Sequence, residues 1–274
     1  MACPTNHKTV FVLDQNPTFS TPCDPVEFDF HKARATLASN YIPAAPIHKT
    51  MWTCATEAVL EYCRIVWDIF PSGKLVRFIV GNQDGTDVND WSDESQNSAV
   101  VAAGFARCGR PQDGGEGDSR RRLAKGHNLM NSLSKALEAL CQPTQAQLAA
   151  SKKGNIKLVN RGRIVCLTHF PDDRRLNQLV MAFKDELTSI NQKAEASDDL
   201  MEIDEVELEI VHCFPPNMDC TVTPTPEPLK ESSSFTYHIQ VTDAAQGLAK
   251  KMLYMALTHY QLASTTGKWS LPEN

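Results

Sequence analysis

Short apolar runs alternate with amphipathic helical patterns along most of this chain, and this alternation restricts its fold more than any other feature. Strands are predicted at 9–14, 75–80, 162–168, 206–214 and 235–241, and helices at 49–70, 95–107, 128–141, 175–196 and 244–263. Strands and helices in this order favour a mostly parallel sheet with helices on both faces. The sequence therefore predicts an α/β fold with a doubly wound sheet.

One predicted hairpin interrupts the alternation. Asp84 and Gly85 form an Asp-Gly pair, which is a strong hairpin signal. Residues 86–91 are therefore predicted to run antiparallel to the preceding strand and to supply one antiparallel edge strand. A short strand is predicted at 26–30, and 215–233 is predicted to be a proline-rich loop. A polar linker is expected to lead from the helix at 128–141 to residue 160, and no pattern marks a second domain within 1–266.

Composition excludes several classes of protein. The net charge of −6 argues against a nucleic-acid-binding surface, which should show a basic stripe. No apolar run approaches the roughly 20 residues that a transmembrane helix needs, so no membrane contact is expected. The nine cysteines include no C-x-x-C pair. Their odd number and their positions inside apolar patterns predict reduced, buried thiols in the nucleus or cytoplasm.

The first strand ends on Asp14, at the kind of position where open α/β sheets hold their ligands. Motifs for catalysis are missing around it, because the sequence contains neither a G-x-S-x-G elbow nor a phosphate-binding G-x-x-x-x-G-K-[ST] loop. His212 and Cys213 cannot form a catalytic pair, since neighbours on a strand point to opposite faces. An enzyme on a Rossmann-like sheet is thus a hypothesis without a positioned reactive group, and Cys213 is predicted to lie in the core.

The residues around Asp14 resemble those of a von Willebrand factor A domain. In that fold a divalent cation is held by D-x-S-x-S after the first strand, by a Thr before the middle helix and by an Asp in an L-T-D-G-type turn. The resemblance places Asp14 on the first Asp, Asn16 and Thr18 on the two serines, His127 near the Thr, and His169 on the second Asp. It implies a von Willebrand factor A-like fold for the chain.

The same comparison implies that the cation site is degenerate. Mg²⁺ prefers hard oxygen ligands, and two of the five positions, His127 and His169, carry imidazoles instead. We therefore expect no metal and no other cofactor. Two alternatives stay open at this point. Asp14, Asn16 and Thr18 offer oxygen atoms for a metal-dependent, ligand-binding A domain, and Asp14 with the two histidines offers ligands for Zn²⁺ or Fe²⁺.

Four longer blocks, at 49–54, 61–71, 160–166 and 259–266, resemble the Asunder family of Integrator subunits. The resemblance implies a non-enzymatic interaction subunit that supports small nuclear RNA 3′-end processing and attenuation of transcription, with a further link to dynein localisation in mitosis and meiosis. Integrator subunit 14 is the implied partner, and the nucleus and the cytoplasm are the implied locations. Residues 267–274 would begin a linker to a C-terminal region beyond this chain, and the Gly/Arg loop at 109–125 departs from the family pattern.

Overall fold

A computed structural model describes residues 8–23, 49–82, 84–111, 129–152, 158–216, 218–244 and 246–262. These residues build a mixed α/β fold around a seven-stranded sheet of order β3-β2-β1-β4-β5-β7-β6. Its strands are β1 (Lys8–Asp14), β2 (Leu75–Gly81), β3 (Thr86–Asp87), β4 (Arg161–Thr168), β5 (Glu205–Phe214), β6 (Leu229–Lys230) and β7 (Phe235–Asp243). The five inner strands of this order, β2, β1, β4, β5 and β7, pair in parallel, which confirms the predicted mostly parallel sheet.

Helices lie on both faces of the sheet. The described α-helices are α1 (Met51–Ile69), α2 (Ser98–Cys108), α3 (Leu129–Cys141), α4 (Gln145–Lys152), α5 (Asp173–Glu195) and α6 (Gln246–His259), and short 3-10 helices span Pro17–Ser20 and Asp93–Ser95. Val10 and Val12 of β1 belong to one core, together with α3 and α5. Phe11 and Leu13 belong to a second core, together with α1, α2 and α6. Successive residues of one strand thus enter opposite cores.

The edges of the sheet differ from the prediction. One antiparallel edge strand was predicted, but β3 and β6 both pair antiparallel, one at each edge. The second was missed because β6 is only two residues long and lies inside the predicted proline-rich loop. Such short edge strands limit further pairing with other chains.

The strand predicted at 86–91 is also shorter than expected, because a side chain replaces the backbone ladder after Val88, whose N–H donates to the carbonyl of Phe78 over 2.9 Å. The N–H of Phe78 donates to Oδ1 of Asn89 over 2.8 Å, and Nδ2 of Asn89 donates to the carbonyl of Val76 over 2.9 Å. The buried Asn89 amide, together with Oε1 of Gln96, which accepts the N–H of Val76 over 2.8 Å, therefore satisfies this part of the edge of β2 without further strand residues.

Helix α4 lies in the stretch that was predicted to be a polar linker. Its start carries reciprocal bonds between Thr144 and Gln147: the N–H of Gln147 donates to Oγ1 of Thr144 over 3.3 Å, and the N–H of Thr144 donates to Oε1 of Gln147 over 3.0 Å. This is a capping box, a signal that is readable in the sequence. The strand predicted at 26–30 lies outside the described residues. In the described part of the chain, no helix combines the length and apolar character needed to span a bilayer.

Lys8 begins β1 with a side chain that is fully buried. Its ammonium donates to the carbonyls of Leu140 and Gln142, over 2.8 and 2.7 Å, and to Oδ1 of Asn160, over 3.1 Å. A cation beside the last carbonyls of a helix interacts favourably with the helix dipole. Lys8 therefore fixes the end of α3 to the start of the central strand.

We expect Lys8→Met to lower the free energy of unfolding by about 2–3 kcal/mol, because it removes three charge-assisted hydrogen bonds at a buried site. Lys184→Met is the matched control, since Lys184 pairs with Glu231 at the surface and such pairs contribute about 0–1 kcal/mol. Urea titrations of both variants measure the difference. Equal losses in the two variants would contradict the role given to Lys8.

Candidate functional site

The candidate site lies where the order of the strands reverses, at the carboxyl ends of β1 and β4. The two strands are parallel neighbours, with β2 next to β1 and β5 next to β4. Such a reversal opens a crevice in which α/β sheets commonly bind ligands. Asp14 ends β1 here and Thr168 ends β4, and both residues are buried.

Asp14 accepts hydrogen bonds from its own protein at both carboxylate oxygens. The hydroxyl of Thr168 donates to Oδ2 over 2.7 Å, and the N–H of Asn16 donates to Oδ1 over 3.0 Å. Charge-assisted hydrogen bonds of this kind are about twice as strong as neutral ones. The Asp14 carboxylate therefore joins β1 to β4 and holds the start of the following loop.

Asn16 and Thr18, the other two predicted oxygen donors, are part of a local turn. Oδ1 of Asn16 accepts the N–H of Thr18 over 3.0 Å and caps the 3-10 helix at Pro17–Ser20. An Asn side chain that bonds to the backbone two residues later is a common turn device. The amide oxygen of Asn16 is thus engaged in shaping the loop.

His169, the fourth predicted position in the described part of the chain, interacts with β5. Its Nδ1 lies 2.9 Å from the carbonyl of Cys213, and because a carbonyl only accepts, Nδ1 carries the proton. The ring stacks on His212 with centroids 5.0 Å apart. No three His, Cys, Asp or Glu side chains within the described ranges are arranged to hold a metal ion. His127 lies outside those ranges.

His212 is a buried histidine to which the sequence analysis gave no role. Its Nδ1 accepts the N–H of Phe170 over 3.1 Å, so its proton is on Nε2, where no described group accepts it. Burial, with a smaller contribution from the charge of His169, lowers the pKa of His212 to about 4. The imidazole is therefore neutral at neutral pH. Cys213, the next residue, lies fully buried in the second core, as predicted.

Two carboxylates beside His212 are also engaged in structure. Oδ1 of Asp172 accepts the N–H of Arg175 over 2.8 Å and caps α5. Asp173 accepts both the N–H and the hydroxyl of Thr223 over 2.8 Å, and these bonds lower the pKa of its carboxyl. The bonds of Asp173 hold the loop after β5 against the start of α5.

A second polar cluster lies between the sheet and helices α1 and α6. Nε2 of His259 lies 2.6 Å from Oε1 of Glu209, and Nδ1 of His259 lies 2.9 Å from the hydroxyl of Tyr62. Arg163 approaches the same carboxylate at 3.5 Å, and Gln240 donates to its other oxygen over 3.1 Å. The cluster therefore connects α1, α6 and three strands by polar contacts.

Burial opposes ionisation of Glu209. The hydrogen bond and charge of His259, together with the charge of Arg163, outweigh burial and hold the pKa of Glu209 below its usual value. Burial raises the pKa of Tyr62 well above its ordinary value. The sequence gives no sign of the acidic partner of His259, because Glu209 lies 50 residues away on β5.

The lowered pKa of His212 predicts a stability that depends on pH. Between pH 6.5 and 4 the unfolded chain binds a proton that the folded chain does not, so stability is lost as the pH falls through this window. We expect the loss due to His212 to reach about 3 kcal/mol, since one pKa unit corresponds to about 1.4 kcal/mol. His212→Gln should flatten the curve, as measured by urea titration across the window. His238→Gln, at a half-buried position of β7, is the control, and an unchanged slope in His212→Gln would refute the assignment.

The sequence of this chain is similar to those of a known protein family. A family model described as "Cell cycle and development regulator Mat89Bb" matches residues 3–267. The chain is 36% identical over 266 residues to Integrator complex subunit 13 of Xenopus laevis, and the match covers 95% of this chain and 36% of the relative. It is 35% identical to human Integrator complex subunit 13 over the same shares. It is 33% identical to protein asunder of Drosophila mojavensis, covering 95% of this chain and 38% of the relative.

The chain thus spans little more than a third of the length of these curated relatives. A solved structure, the D319A mutant of the PilB minor pilin from Streptococcus sanguinis, aligns with 95% of this chain and 64% of its own at 9% identity. The TM-score is 0.43, which is too low to assign a fold family or a function.

Proposed function

Because the chain belongs to the Mat89Bb family of cell cycle and development regulators, we propose that it is a non-enzymatic interaction subunit of an Integrator complex. The observation that carries the proposal is the match over 95% of the chain to proteins named Integrator complex subunit 13. Its proposed roles are small nuclear RNA 3′-end processing and attenuation of transcription, with a link to dynein localisation in mitosis and meiosis. Subunit 14 is the proposed direct partner, in the nucleus and also in the cytoplasm.

The geometry of the switch point supports an interaction role rather than catalysis. A general base or nucleophile has to reach a substrate, and catalytic groups are arranged for mutual proton transfer. Asp14 is 2% exposed and is bonded to Thr168 and Asn16, while His212 is buried and neutral. These polar groups organise loops on a rigid sheet, which is a suitable scaffold for recognising a protein.

We further propose that the fold is of the von Willebrand factor A type with a degenerate cation site. Asp14 lies at the switch point, as the A-domain comparison requires. The described residues do not fit Mg²⁺, because His169 replaces a carboxylate and its Nδ1 is engaged with the carbonyl of Cys213. In the alternative, a metal-dependent ligand-binding A domain, Asp14 and Asn16 would have to exchange their present hydrogen bonds for bonds to a cation, and Thr18 would have to offer its hydroxyl oxygen.

The first test is recovery of partners by the tagged chain from nuclear extract, with and without EDTA, read by mass spectrometry. We expect Integrator subunits, subunit 14 among them, to be recovered equally in both conditions. Recovery only without EDTA would favour the metal-dependent alternative. Recovery of no Integrator subunit in either condition, by a chain that circular dichroism shows to be folded, would contradict an interaction role for this part of the protein.

A substitution at Asp14 separates the two alternatives at the level of one residue. Asp14→Asn keeps the size and an acceptor oxygen but removes the charge that a divalent cation requires. We expect recovery of Integrator subunits within about twofold of wild type, a difference of less than about 0.5 kcal/mol. Glu57→Gln, which removes a carboxylate from an exposed pair with Lys49, is the matched control. A loss of more than tenfold in Asp14→Asn alone, in a folded protein, would support the cation site.

A further inference from the structure

Cys23 and Cys54 are brought together by a short antiparallel contact at the start of α1. The N–H of Cys23 donates to the carbonyl of Lys49 over 2.6 Å, and the N–H of Met51 donates to the carbonyl of Thr21 over 3.0 Å. Pro22 and Thr50 form the bridge between these bonds. The segment Thr21–Cys23 therefore lies along the residues that open the helix, one turn away from Cys54.

The side chains of the two cysteines belong to the same core. Cys23 is buried among the apolar side chains of the second core, and Cys54 packs against that core from a half-buried position. The side-chain contact with Cys23 is also the strongest influence on the ionisation of Cys54. Cys54 is therefore the more accessible residue of the pair, and Cys23 is the buried one.

The surroundings of Cys54 favour its thiolate. The hydrogen bond from Cys23 and the charge of Lys49 hold the pKa of Cys54 below its usual value, against burial and the charge of Glu57. The backbone amide groups at the start of a helix also lower the pKa of a nearby cysteine. The contrast within the chain is clear, because burial raises the pKa of Cys63, Cys141, Cys166 and Cys213.

We propose that Cys23 and Cys54 are a peroxide-sensitive thiol pair that closes a disulfide between the segment after β1 and helix α1. The Cys54 thiolate attacks a peroxide oxygen, hydroxide leaves, and Cys54 becomes a sulfenic acid. The Cys23 sulfur then attacks the Cys54 sulfur, the S–O bond breaks, and water leaves with the thiol proton. Two thiols are oxidised and one hydrogen peroxide is reduced to two waters.

Such a disulfide would act at the carboxyl-end edge of the sheet. Residues 15–23 follow Asp14 and include the turn built by Asn16, so a bond at Cys23 restrains the loop beside the switch point. Cys23 also lies 3.9 Å from the carbonyl of Ala244, at the end of β7. Oxidation would therefore restrain the loop beside the switch point, whereas helices α3 and α5 pack on the opposite face of the sheet. The redox chemistry itself does not depend on the Integrator assignment.

The probe is hydrogen peroxide, which is added to the intact chain. The remaining free thiols are then blocked, and the disulfides are mapped in peptides that have not been reduced. Trypsin leaves Cys54 and Cys63 together in the peptide 50–64, and a second cleavage after Glu57 separates them. We expect a cross-linked pair of peptides that contain Cys23 and Cys54, lighter than their sum by two hydrogens, to be the most abundant disulfide species. Cross-links of Cys54 mainly to another cysteine, or no cross-link at peroxide levels that oxidise the exposed Cys220, would overturn the proposal.

Two serine variants test the order of the steps. Cys23→Ser should leave Cys54 as a sulfenic acid that dimedone traps, whereas Cys54→Ser should leave Cys23 unoxidised. Cys220→Ser is the control, because Cys220 is exposed and its substitution should leave the cross-link unchanged. Trapping of Cys23 rather than Cys54 would overturn the assigned roles. The mapping of the unmodified chain stays decisive even if a variant fails to fold.

Discussion

The central strand β1 is buried at every position, and the rest of the structure depends on how its two ends are held. At its start, the Lys8 ammonium bonds to the last carbonyls of α3. At its end, the Asp14 carboxylate bonds to Thr168 of β4. Charged groups in such places are stable only when they are paired or hydrogen-bonded. Strand β1 is therefore fixed to a helix at one end and to its neighbouring strand at the other.

The same requirement explains the character of the candidate site. Polar side chains at the switch point are engaged with backbone amides, with a hydroxyl or with a carbonyl, as Asn16 and His169 illustrate. A group that maintains a loop in this way loses the freedom to exchange protons with a substrate. The hydrogen bonds among Tyr62, His259 and Glu209 likewise have a structural role, because they join helices α1 and α6 to the sheet. Both features suit a rigid platform for a protein partner.

Local pattern was enough to predict the main strands and five of the longer helices, because burial of one face imposes a period on the sequence. It also placed Asp14 at the carboxyl end of the first strand. Strand β6 is only two residues long, which is too short to show a period, and the Asn89 side chain that ends β3 resembles any other loop residue. Helix α4 was missed although its capping box could be read directly.

The sequence by itself determined the α/β class, the mostly parallel sheet and the family, since these depend on periodicity and on residue identity along the chain. Only the tertiary structure decided which polar groups meet. The bonds from Asp14 to Thr168, from His259 to Glu209 and from Lys8 to the end of α3 all join residues far apart in the chain. Their geometry follows from strand order and register, and a one-residue shift of a strand would turn each side chain to the opposite face.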